Sequence, residues 1–114
     1  MSGLIVLQEQ VLDLIQRIQL PDDVNVHKKY NPLISKLIYL NVIKDENDIL
    51  HFDCLLEDIK KTYTCSNVDI INFNIMRQIF QNLLKINLLI EKYNLLNKTV
   101  EALLYNFYSN VNKL

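Results

Sequence analysis

Residues 67–114, NVDIINFNIMRQIFQNLLKINLLIEKYNLLNKTVEALLYNFYSNVNKL, run for forty-eight positions without a glycine or a proline. Elsewhere the chain holds one glycine, Gly3, and two prolines, Pro21 and Pro32. Tight hairpin turns need residues that accept positive φ, and an all-β fold needs many such turns. The chain therefore reads as all-α. Around the stretch Leu83 to Ile90 the pattern is apolar on almost every side, as expected of a helix covered by several neighbours. The fold expected is a single compact bundle of about five helices, spanning residues 1–114, with a largely buried central helix over 67–94.

Two features delimit that helix. Ser66-Asn67-Val68-Asp69 has the form of an N-terminal capping box, in which serine and the acid three residues on satisfy each other's backbone donors. Without a break near 95–98 the helix would exceed forty residues, roughly 65 Å at about 1.5 Å per residue, which no compact domain of this size accommodates. Asn97-Lys98-Thr99 supplies caps for a last helix, whose stripe is Val100, Leu103, Leu104, Phe107, Tyr108, Val111 and Leu114.

Upstream, Leu4, Leu7, Val11, Leu14 and Ile18 recur at alternating spacings of three and four, an a/d seam on a helix expected over 3–20 and ended by Pro21. Asp22 to Tyr30 is polar and without period, and reads as a loop. Asn31-Pro32 then has the form of an N-cap followed by proline at the first helical position, opening a helix over 32–43. After a polar turn at 44–47, Ile49, Phe52, Leu56, Ile59 and Tyr63 mark a helix over 48–63. The alternative there is a short extended piece at 49–52 with Asp53 capping a shorter helix.

Chemistry-bearing constellations are missing. No glycine-rich phosphate loop, HExxH or CxxC motif occurs, so no enzyme, cofactor or metal site is expected. His51, Asp53 and Cys54 are close in sequence, but on a helix Asp53 points away from the other two, and two ligands do not close a tetrahedral site. Cys54 and Cys65 form no disulfide framework and read as reduced thiols. Residues 1–69 carry eleven acids against seven bases, residues 70–114 two acids against five bases. The half holding the dyads Lys28-Lys29 and Lys60-Lys61 is thus acidic, which argues against direct nucleic-acid binding. No secretory signal is apparent, and no run reaches the roughly 18 uncharged apolar residues of a membrane span. An intracellular setting is expected, nucleus or cytoplasm alike.

Half of all residues are apolar, more than a small bundle is expected to hide. The surplus points to a non-enzymatic protein–protein interaction subunit of a larger intracellular assembly. Its partner is expected to be another protein, a hetero-oligomer being favoured over a homo-oligomer. The expected contact residues are Leu4, Leu7, Val11, Leu14 and Ile18 on the first helix and Leu104, Tyr105, Phe107, Tyr108 and Val111 on the last, aromatic residues being enriched in interface cores. The alternative is a free-standing helical regulator, viral inhibitors of host signalling among the type, that takes a partner's amphipathic helix in a groove.

Overall fold

The computed structural model describes residues 2–38, 45–93 and 98–112, and all regular structure among them is helical. The helices are α1 (Ser2–Arg17), α2 (Val26–Ile38), α3 (Glu46–Thr62), α4 (Asn67–Tyr93) and α5 (Lys98–Asn112). α4 is the longest and lies between α1 on one flank and α3 on the other, while α2 packs behind it and against α5. The molecule measures 42 × 26 × 19 Å, so α4 and α5 cannot form one straight rod. The sequence around the break, 94–97, lies outside the described residues, as does 39–43 at the end expected for the second helix.

α4 opens on the expected capping box. The Ser66 hydroxyl accepts from the Asp69 N–H at 3.2 Å, and the Asp69 carboxylate accepts from the Ser66 N–H at 2.9 Å. Its inward side carries Phe73, Met76, Ile79, Phe80, Leu83, Leu84 and Ile86, all in the core. Asn67, Ile71, Asn74, Gln78, Lys85, Leu88 and Lys92 repeat at heptad spacing along the outward side, leaving α4 one narrow stripe to solvent.

α3 is one helix, and the extended alternative does not occur. Asp45 is its N-cap and forms a capping box with Asp48, which fixes the start without need of Asp53. Phe52 stacks on Phe80 of α4, ring centres 4.6 Å apart. Beside that stack Asp53 accepts two bonds from Arg77, at 2.7 and 3.1 Å. The pairs show that α3 runs antiparallel to α4.

Two expected boundaries fail. α1 stops at Arg17, ahead of Leu20 and Pro21, because Asn72 of α4 captures the next stretch of backbone. The Asn72 side chain accepts from the Gln19 N–H at 3.1 Å and donates to the Gln19 carbonyl at 2.7 Å. α2 starts at Val26, six residues before Pro32, so the expected loop at 22–30 is half helix. Asp23 turns the chain into it, its carboxylate accepting from the Asn25 N–H at 2.8 Å. Val26, Tyr30, Leu33 and Leu37 form the buried seam, a continuous three-four repeat that the charge of Lys29 obscures in the sequence.

Pro32 therefore sits inside α2, where it can offer no N–H to the Lys28 carbonyl. Both residues are on the exposed side, so water replaces the lost donor. Proline in a helix interior is about 3 kcal/mol worse than alanine, offset by up to about 1 kcal/mol through restriction of the unfolded chain. Pro32→Ala is expected to stabilise the protein by about 2 kcal/mol, read as a rise in the urea midpoint with unchanged slope.

The exposed area is close to that of an ordinary single domain. A folded monomer of 13.5 kDa is expected to expose roughly 6,500 Å², and this one exposes 6877 Å². That total does not separate apolar from polar surface, and eight large apolar side chains stay exposed among the described residues. Helix packing around α4 absorbs most of the apolar residues, and what is left over is divided between Ile5, Val6, Leu50 and Leu88, Val24, Val68 and Ile71 near the start of α4, and Tyr105 on α5.

Candidate functional site

Two places in the molecule stand apart from ordinary helix packing. The first is a buried polar cluster where the α1–α2 and α3–α4 connections meet. Lys29, in the first turn of α2, is wholly buried with Asp69 and Asn72 of α4. Its ammonium donates to Asp23, to the Thr64 carbonyl at 3.2 Å and to Asp69 at 2.8 Å. The Tyr30 hydroxyl donates to the other Asp69 oxygen at 2.6 Å and accepts from Asn72 at 2.8 Å. Burial alone would drive the Lys29 amine down, but its bonds to Asp23 and Asp69 outweigh that and hold it above its ordinary value. Burial would likewise raise Asp69, but the bonds from Lys29, Tyr30 and the Ser66 backbone hold it below the usual carboxylate range. Asp23 is held low by Lys29 and by the Asn25 N–H. Burial, and then the bond to Asp69, push the Tyr30 phenol up.

That cluster ties rather than reacts. A nucleophilic lysine needs a free lone pair and a path to substrate; Lys29 stays protonated, spends all three N–H donors and reaches no solvent. It fastens α2 to both neighbouring connections and to α4. Lys28-Lys29 is thereby split as a basic dyad, since only Lys28 is exposed.

The second place is one end of the bundle. Gln10 and Asp13 of α1 share a polar cleft with Gln78, Gln81 and Asn82 of α4, and Gln19 lies beside Asn72, so α1 also runs antiparallel to α4. The N-termini of α1 and α3 consequently meet the C-terminal turns of α4. Four large apolar side chains are exposed there: Ile5 at 54%, Val6 at 49%, Leu50 at 60% and Leu88 at 49%. Between α3 and α4 the same end opens into a groove of about 510 Å³, lined by Ile49, Leu84 and Leu88 with Gln81, and rimmed by Asp45, Glu46 and Lys85. Its apolar floor and charged edges suit contact with another apolar surface.

Several expected contact residues turn inward instead. Leu4, Val11 and Leu14 of α1 and Leu104 of α5 belong to the chain's own core, and Leu7, Ile18, Phe107 and Tyr108 are half-buried against it. The α1 seam is occupied by α4, because antiparallel helices bury their a/d positions in each other first. Tyr105 remains exposed, and the Val111 side chain lies outside the described residues. Spacing marks Ile5 as a flank of the α1 seam and does not mark Val6, Leu50 or Leu88 as contacts. Their signal is weak: each lies beside a seam, and only the relative placement of three helices gathers them.

The remaining candidates stay apart. His51 and Cys54 are exposed, and Asp53 is engaged by Arg77. Among the described residues no group of three or more His, Cys, Asp or Glu could hold a metal ion. Burial, and then the charge of Asp69, raise the Cys65 thiol, which keeps it in the unreactive form. No helix among the described residues is long and apolar enough to cross a membrane. The chain matches no protein-family model, no curated protein and no solved structure.

Proposed function

We propose that this protein is a non-enzymatic interaction module that docks another protein on the bundle end formed by the N-termini of α1 and α3 and the C-terminal turns of α4. The observation that carries the reading is the apolar groove between α3 and α4, with exposed Leu88 on its wall and with Ile5, Val6 and Leu50 exposed on helices that begin at the same end. Isolated exposed apolar residues are ordinary on any protein; an apolar groove rimmed by charges is the pattern of an interface. A role as a subunit of a larger assembly and a role as a groove-bearing regulator both use this surface. The groove favours the second.

Replacing Leu7, Leu14 and Ile18 would test stability rather than docking, because Leu14 is core and its neighbours pack on it. The informative variant changes Ile5, Val6, Leu50 and Leu88 together to serine. All four are about half exposed or more, so the variant is expected to keep its helical circular dichroism and to melt within a few degrees of the parent. In quantitative affinity purification from the native cell extract it is expected to lose the partners that the parent chain retains. Retention of every partner by the folded variant would remove this end as the interface.

A further inference from the structure

We infer that the α3–α4 groove receives one amphipathic helix of a partner protein, with apolar side chains about one turn apart along its buried face. On one flank that helix carries lysine or arginine beside Asp45 and Glu46, and on the other an acid beside Lys85. The inference rests on the interaction reading above and adds the chemistry of the partner.

Size comes first. A cavity of about 150 Å³ lined by leucine, isoleucine and phenylalanine holds one benzene. The groove, at about 510 Å³, has room for roughly three medium apolar side chains, which is what two turns of helix present at i, i+4 and i+7. Ile49 and Leu88 form its walls and Leu84, almost fully buried, its floor. A helix laid between α3 and α4 would pack on α4 as α1 does on its other flank.

Charge then selects the flanks. Asp45 and Glu46 stand on the α3 rim, both exposed, and Lys85 stands exposed on the α4 rim. Asp45 also caps α3 through the Asn47 N–H, so its carboxylate stays on the rim whatever docks. The two acids outweigh the partial positive charge of the α3 N-terminus. A small apolar ligand would instead call for polar groups converging inside the pocket, and these charges sit at its edges. Nor does a second copy fit. Among the large apolar side chains exposed on the described helices, a one-turn spacing occurs at Val68 and Ile71, and these are flanked by Asn67 and Asn74, which offer no charge to either rim.

The test uses the full chain and three labelled, hydrocarbon-stapled 18-residue peptides with leucine at i, i+4 and i+7. One carries lysine on one flank and glutamate on the other; the second carries lysine on both flanks, the third glutamate on both. Fluorescence anisotropy is expected to show the mixed peptide binding at least about threefold tighter than either companion, the range of an exposed ion pair. Leu88→Ser is expected to weaken it about tenfold, as loss of an anchor side chain does. Lys85→Glu is expected to move the preference to the lysine-only peptide. Both substituted residues are exposed, so neither variant is at risk of unfolding.

Failure of all three peptides to bind, equal binding regardless of flank, or indifference to Leu88→Ser would each overturn the inference. A dimer in light scattering that Leu88→Ser dissolves would assign the groove to a second copy and overturn it as well. The interaction reading is judged separately by the four-serine variant. If the peptides fail and that variant still loses its native partner, the helix-in-groove inference falls while the interface stands.

Discussion

Lys29→Met is expected to cost about 3–5 kcal/mol, the range for removing one member of a buried charge pair. Methionine keeps the length and the apolar stem of lysine, so packing changes little. What changes is that Asp69, at 1% exposure, is left without its cation. Tyr30 and Ser66 still donate to it, but neither neutralises it. Urea denaturation should show the midpoint falling with little change in slope, and a loss of less than about 1 kcal/mol would mean that water reaches Asp69.

The same cluster sets the pH response. Asp69 and Asp23 have carboxyls held below the ordinary value of 3.8. Their stabilisation is present above the unfolded pKa and is lost as pH falls through the lower folded value. Lys29 is held above 10.5, so its contribution is complete below that pH and is lost as pH rises through the folded value. Burial of the Tyr30 phenol adds to the alkaline loss, since above about pH 10 the unfolded chain can ionise a group that the folded chain keeps neutral. A plateau of stability from about pH 5 to about pH 10 is expected, with descending limbs on both sides. In Lys29→Met the alkaline limb should weaken, leaving the Tyr30 contribution, while the acid limb should flatten or invert, because burial then holds the Asp69 carboxyl up and its protonation favours the folded chain. A parent profile that slopes steadily between pH 6 and pH 9 would contradict the assignment.

Phe80→Ala is expected to cost a similar amount, about 3–5 kcal/mol, through a different mechanism and with a different consequence. Phe80 is fully buried, and Phe52 stacks on it. Truncation leaves a cavity between α3 and α4 that the half-exposed Asp53–Arg77 pair cannot bridge, since such pairs contribute at most about 1 kcal/mol. For a domain of about 100 residues the loss corresponds to a melting point lower by roughly 15–30 °C. The α3–α4 groove lies one to two turns from this stack, with Ile49 one turn before Phe52 and Leu84 one turn after Phe80. Below its melting point the variant should therefore bind the mixed peptide more weakly, whereas Lys29→Met, whose lesion is at the opposite end of the bundle, should leave that affinity unchanged. Equal loss of binding in both variants would indicate general loosening instead of a local effect on the groove.

Much of the architecture was readable wherever the determinants are local. The Ser66–Asp69 capping box lies within four residues, and it marks the start of α4. Phe52, Leu56 and Ile59 lie on one face of α3 by spacing alone, and all three are core. The Asp13–Arg17 pair forms as the i, i+4 spacing implies, at 2.7 Å. Where the reading of boundaries failed, the determinant is distant. Gln19 is 53 residues from Asn72, which ends α1 early. Lys29 is 40 residues from Asp69, which makes a lysine tolerable inside the seam of α2. Read locally, that lysine belongs to a polar loop and Pro32 to a helix start.

The site divides in the same way. Leu4, Val11 and Leu14 were legible as the apolar stripe of α1, but a stripe does not say whether the covering surface belongs to the same chain. α4 covers it here. Ile5, Val6, Leu50 and Leu88 carry little signal one by one, since a lone apolar residue beside a seam is common on any helix.

By itself, then, the chain's near absence of glycine and its three-four apolar spacing determined that it is helical, roughly how many helices it has and which side of each is apolar. Those properties follow from backbone sterics and periodicity, which act over one or two turns. The tertiary structure alone decided which apolar sides pair with each other, which lysine is buried, and where uncovered apolar surface collects. These depend on residues 24 to 53 positions apart being brought together when the helices pack.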